Sequence, residues 1–123
     1  MTLEMGLELE GYRVSSFERG EDALPFIAFQ TKPVDVVLLD LCTDGIAADD
    51  FMRRLNATLG TARPPVVLLS AFDNLKQECK NVGADSYLQK PFEHEVLLKT
   101  IRNAASGLTA GFRQTSSSAE LTA

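Results

Sequence analysis

The chain has 123 residues, 45% of them apolar, and a formal net charge of −5, which bounds it to one globular domain with a sizeable core. A negative balance with scattered Lys and Arg argues against phosphate-backbone binding, so nucleic acid is not an expected partner. No apolar stretch approaches the roughly 20 residues of a membrane helix, and the amino terminus lacks the organisation of a signal peptide. The expected compartment is therefore the cytoplasm, with no membrane partner, and Cys42 and Cys79 are expected as free thiols without metal-ligand spacing.

In chain order, the first ten residues alternate Leu3, Met5, Leu7 and Leu9 with Glu4, Gly6, Glu8 and Glu10, which fits a strand period as well as a helix face. Leu, Met and Glu are good helix formers, and a strand covered on both faces would bury three glutamates, so a helix is expected. Residues 12–17 read as an edge-like strand and 21–30 as a short helix with Ala23, Leu24, Ile27 and Ala28 on one face. Pro25 either kinks that helix or marks its true start, where a missing donor costs nothing. Residues 34–39 read as a strand, apolar apart from Asp35, 48–59 as a helix with Arg53 and Arg54 on its solvated side, and 60–65 as a breaker-rich loop into a strand over 66–69.

Asp73 or Asn74 can cap the following helix, which stops at Gly83. Residues 87–89 are the last expected strand, and 93–105 a final helix that buries Val96, Leu97, Leu98, Ile101 and Ala105 and shows His94 on its exposed first turn. From Ser106 onward the composition turns to Gly, Thr, Ser and Ala without periodicity. The domain is thus expected over 1–105 and a flexible tail over 106–123. Strands alternating with helices at this spacing predict an α/β fold, a doubly wound parallel sheet of flavodoxin-like kind.

Three apolar runs break off at one reactive polar residue each: the run from Val36 at Asp40, that from Val66 at Ser70, and Tyr87-Leu88-Gln89 at Lys90, followed by Pro91. A buried parallel strand delivers a side chain to the carboxyl edge of its sheet in this way, and open α/β folds bind and react at that edge. A carboxylate, a hydroxyl and an ammonium would meet in one pocket. Taken singly, each has a plainer role: Asp40 as a loop cap, Ser70 as a turn hydroxyl, Lys90 as the partner of a surface acid.

The combination of Asp40 ending a strand, Ser70-Ala71 ending the next, Gly83-Ala84-Asp85, and Lys90-Pro91-Phe92 resembles the response-regulator receiver domain of two-component signalling. The likeness runs from Gly11 to about Arg102. It implies Asp40 as phosphoacceptor, Lys90 as the phosphoryl-binding ammonium, Ser70 and Tyr87 as the switch pair, a cis Lys90-Pro91 bond, and Mg²⁺ as the cation. A phosphorylated carboxylate of this kind needs an in-line nucleophile and fixed positive charge around the equatorial oxygens.

The chain departs from that family in one major respect. The family's first strand, which ends in an acidic pair, has no counterpart before Met1, so the fold is expected as an N-terminally truncated receiver. The implied metal site keeps only Asp40 and the Cys42 backbone carbonyl, and Mg²⁺ binds poorly to so few protein oxygens. Asp44 stands where the family has Pro, and Ala47-Ala48 where it has Asp-Gly.

The missing strand belongs at the centre of the sheet. Its absence predicts either direct pairing of strands 12–17 and 34–39, or filling of the gap by a second chain in an intertwined homodimer, the latter favoured. The expected function is a phosphorelay receiver, not an enzyme, phosphorylated on Asp40 by a histidine kinase or phosphotransfer protein and read by a downstream protein partner. A phosphorylation-independent pseudo-receiver, acting as an interaction or dimerisation module, is the alternative. A flavin or nucleotide protein is disfavoured because no glycine-rich phosphate loop follows any strand.

Overall fold

The structure is a computed structural model and describes residues 3–29, 34–41, 47–71, 73–106 and 118–122. Helix α1 (Leu3–Leu9) leads into strand β1 (Arg13–Phe17), followed by α2 (Gly20–Ala28), β2 (Val36–Asp40), α3 (Ala48–Leu59), β3 (Val66–Ser70), α4 (Leu75–Val82), β4 (Ser86–Gln89), α5 (His94–Ala105) and β5 (Ser118–Thr122). All neighbouring strands are parallel, in the order β1-β5-β2-β3-β4.

Strands β2 and β3 are apolar runs because both of their faces are covered. Val37, Leu39, Val66 and Leu68 point into one core layer with Ala23, Ile27, Phe51, Met52, Leu55 and Leu75. Val36, Leu38, Val67 and Leu69 point into the opposite layer with Leu7, Leu97, Leu98 and Ile101. The period-2 alternation of a strand sends successive residues to α2, α3 and α4 on one side and to α1 and α5 on the other, as a doubly wound sheet requires. The first ten residues contribute a helix, with Leu7 fully buried against α5's layer. Pro25 lies inside α2, which begins earlier, at Gly20.

Helix α4 ends at Gly83, whose φ of 78° is the left-handed conformation a C-cap needs and a Cβ would strain. Two residues on, Asp85 ties the start of β3 to the start of β4. Its Oδ2 accepts from the Val66 N–H at 2.8 Å and from Arg63 Nη1 at 2.7 Å, while its own N–H donates to the Val66 carbonyl at 3.0 Å. The Gly83-Ala84-Asp85 triplet is therefore a helix stop followed by a strand clamp. Burial raises the Cys79 thiol above its ordinary range, with the nearby Asp85 charge adding to it. Burial likewise raises the Tyr12 phenol, against the opposing pull of Arg102.

The centre of the sheet corrects both expectations for the gap. Neither the favoured filling by a second chain nor direct pairing of β1 with β2 is found; β5 of the same chain lies between them, with Arg13 to Phe17 in register with Ser118 to Thr122 on one side and Val36 to Leu39 with Ala119 to Thr122 on the other. The flexible tail expected over 106–123 therefore does not extend to Ser118–Thr122, which form the middle strand. The reason is physical. A vacancy between two parallel strands offers unpaired donors and acceptors on both sides, and backbone groups meet that demand whatever the side chains. A reading by composition sees Ser-Ala-Glu-Leu-Thr as poor strand former and no more.

Candidate functional site

Asp40 is the last residue of β2, Ser70 the last of β3, and Lys90 follows the last residue of β4. These strands are adjacent and parallel, so their carboxyl ends bring the three side chains to one edge. Two backbone bonds align the ends: Leu41 N–H donates to the Leu69 carbonyl at 3.0 Å, and Lys90 N–H to the Ser70 carbonyl at 2.7 Å. The Lys90-Pro91 peptide is cis.

The ammonium of Lys90 pairs directly with Oδ2 of Asp40. Side-chain exposure is 19% for Asp40 and 38% for Lys90, which leaves the carboxylate reachable from solvent along one side. Ser70 is fully buried beside them, the single buried polar residue among those described. Tyr87 lies two residues before Gln89 on the same face of β4 and is 41% exposed. Cys42 and Asp44, the remaining residues considered for the metal, fall outside the described residues.

The donor set at this edge, among the described residues, does not fit a resident Mg²⁺. Among the described residues no cluster of three or more His, Cys, Asp or Glu could hold a metal ion. The strand on the other side of β2 ends in Leu121 and Thr122, with Thr122 in register with Leu39. Mg²⁺ takes one or two carboxylates plus further oxygens in octahedral geometry, and at this edge Asp40 is already engaged by a cation.

Two contacts were not expected from the sequence. Gln89 Nε2 donates to Asp73 Oδ1 at 3.1 Å, which ties the end of β4 to the loop that follows Ser70. The signal was present in the period of β4, which puts Tyr87 and Gln89 on one side. His94, at the start of α5, lies 3.5 Å from a carboxylate oxygen of Glu10. Beside this pair a cavity of about 820 Å³ opens, with Leu3, Leu9, Phe92 and Leu97 as its apolar wall and Lys90 at its edge.

Replacing Lys90 by Ala is expected to leave the fold intact. The pair with Asp40 is partly solvated, so its loss should change stability by no more than about 1 kcal/mol. A urea midpoint close to that of the parent chain is the expected result, and an unfolded Lys90→Ala variant would mean that Lys90 holds the structure together rather than serving the site.

A doubly wound parallel sheet thus sets an accessible carboxylate, a buried hydroxyl and an ammonium at the ends of three adjacent strands, the arrangement of an open α/β domain whose chemistry lies at its carboxyl edge. The response regulator receiver domain family matches residues 1–102, and the chain belongs to that family. It is 36% identical over 103 residues to the protein PilH of Pseudomonas aeruginosa, covering 82% of this chain and 84% of PilH. It is also 36% identical over 104 residues to the transcriptional regulatory protein YkoG of Bacillus subtilis, covering 83% of this chain but only 44% of YkoG. The chain thus spans under half the length of regulators such as YkoG.

Among solved structures it resembles the receiver domain of the sensor histidine kinase PA1611 from Pseudomonas aeruginosa, with a TM-score of 0.72 and 25% identity over 84% of each chain. In that domain magnesium is coordinated in the active-site cleft. The chemotaxis protein CheY4 of Vibrio cholerae matches with a TM-score of 0.70 and 28% identity, covering 83% of this chain and 85% of that one. The fold is therefore the flavodoxin-like receiver fold, and the chain is a receiver domain of two-component response regulators.

Proposed function

We propose that Asp40 is the phosphoacceptor of this receiver, that Lys90 and Ser70 bind the transferred phosphoryl group, and that Tyr87 reports its arrival. The observation that carries this reading is the ion pair of Asp40 with Lys90 at the carboxyl edge, beside the fully buried Ser70. A carboxylate oxygen of Asp40 attacks the phosphorus of the donor; the bond from phosphorus to the donor's leaving atom breaks, and that group departs with its electron pair. The Lys90 ammonium then turns from the carboxylate to a phosphoryl oxygen, a charge-assisted contact of the stronger kind. The Ser70 hydroxyl donates to a second oxygen and draws the loop after β3 inward, and Tyr87 follows into the space that opens.

The donor proposed is a histidine kinase or phosphotransfer protein, and the output passes through a downstream protein partner. The cavity lined by Lys90 supports this, since it opens beside the ammonium of the site, next to α1 and α5. The cytoplasm is the compartment proposed; it suits a phosphoryl donor of this kind and a reduced Cys79. Because no carboxylate cluster stands at this edge among the described residues, transfer is expected to be slow and to respond little to Mg²⁺.

The test is incubation with a small-molecule acyl phosphate, read by intact mass. One phosphoryl mass is expected on the parent chain and none on Asp40→Asn. No addition to the parent chain at any Mg²⁺ concentration would displace this reading in favour of a phosphorylation-independent interaction module.

A further inference from the structure

We propose that the hydrogen bond between Gln89 and Asp73 is a latch that holds the carboxyl edge in its unmodified conformation, and that a phosphoryl group at Asp40 must release it to move the loop after β3. The proposal rests on the phosphoacceptor reading of Asp40. Gln89 Nε2 donates to Asp73 Oδ1 at 3.1 Å, which joins the last residue of β4 to the loop beyond the last residue of β3. Leu88 packs in the layer of α1 and α5, so the alternation of the strand turns Tyr87 and Gln89 to the other face, the side of Leu75 and Cys79 of α4. The bond therefore spans the gap between β4 and the approach to α4, one strand repeat, roughly 7 Å, beyond Tyr87.

The direction of movement decides what becomes of this bond. Asp40 ends β2 and Gln89 ends β4, and β3 with Ser70 lies between them. When the Ser70 hydroxyl donates to a phosphoryl oxygen on Asp40, the chain after Ser70 is drawn toward β2 and away from β4. A side-chain hydrogen bond is lost beyond about 3.5 Å, so a shift of about half an ångström opens the latch.

Both partners are exposed. An amide donating to a carboxylate in water is held on the scale of an ordinary hydrogen bond, not of a buried ion pair, which suits a contact that has to break. Until it breaks, it opposes the displacement of Ser70 and the inward passage of Tyr87, and phosphoryl transfer has to supply the free energy of opening. Gln89 and Asp73 are thus positioning residues, which act through the loop after Ser70 and set how readily the edge yields.

Two backbone bonds give the test its own control. The Lys90 N–H donates to the Ser70 carbonyl on the latched side of β3, and the Leu41 N–H donates to the Leu69 carbonyl on the other side. Gln89→Met keeps the length of the side chain and removes the donor. Gln89→Glu combined with Asp73→Asn reverses donor and acceptor and keeps the charge of the pair. Amide hydrogen exchange is followed by NMR at Lys90 and Leu41, under conditions where its rate tracks the opening equilibrium, and phosphoryl addition from acetyl phosphate is timed by intact mass.

Gln89→Met is expected to speed exchange at Lys90 about fivefold, the factor that the net worth of one hydrogen bond makes in an equilibrium constant. Leu41 should be unchanged, phosphoryl addition should quicken by a similar factor, and the reversed pair should restore both rates. The proposal is overturned if exchange at Lys90 stays at the parent rate, if Leu41 quickens equally, if the reversed pair restores nothing, or if exchange changes while the rate of addition does not. A parent chain that takes no phosphoryl group defeats the reading of Asp40 instead, and exchange at Lys90 then decides by itself whether the latch exists.

Discussion

Deleting residues 107–123 is expected to abolish the cooperative unfolding transition of the isolated chain. Without β5, strands β1 and β2 stand about two strand spacings apart, roughly 10 Å, too far to bond one another. Strand β2 is buried from Val36 to Leu39, so its freed donors and acceptors lose their partners where water does not replace them. Each such group costs about 1–3 kcal/mol, and a few of them match the whole stability of a domain, about 5–15 kcal/mol. The measurement is far-ultraviolet circular dichroism against urea. A truncated chain that unfolds at the parent's midpoint with the parent's slope would show that β5 contributes nothing to the sheet.

Phe51→Ala is expected to destabilise the domain by about 3–5 kcal/mol, the usual cost of emptying a closed aromatic site. Phe51 is fully buried on α3, one turn before Leu55, and packs in the layer that holds Val37, Leu39, Val66 and Leu68. A hole there lies under the two strands that carry Asp40 and Ser70, and strands paired on both sides collapse little into a cavity. The urea midpoint should fall sharply while the slope stays unchanged. A loss below about 1 kcal/mol would mean that α2 and α4 close over the space, and would count against a rigid layer beneath the site.

Most of the alternating pattern was legible in the residues themselves. The runs ending at Asp40 and Ser70 announced buried parallel strands because both faces of β2 and β3 are covered and no polar residue interrupts them. Helix α3 was readable to its last residue, since Ala48 follows a loop and Gly60 stops the turn. That Asp40, Ser70 and Lys90 meet at one edge was readable because parallel strands share one carboxyl edge, so three strand ends imply one place.

What escaped was set by context rather than by local preference. Nothing in Ser-Ala-Glu-Leu-Thr marks a central strand; the marker is a vacancy created by β1 and β2, which no window around residue 120 contains. Gln89 and Asp73 form a pair only because β4 lies beside β3. The clamp at Asp85 needs the start of β3 brought next to it.

The placement of β5 also bears on how the domain comes into being. Arg13 of β1 finds its strand partner at Ser118, about a hundred positions later. On a translating ribosome, which adds roughly 5–20 residues per second, α1 and β1 therefore wait several seconds before the strand that docks them has been made. The segments made in between can assemble β2, β3 and β4 with their helices first, since those contacts are nearer in sequence. Closing the sheet then waits until β5 has been made, and during that wait the open edges of β1 and β2 are a place for chaperones to act.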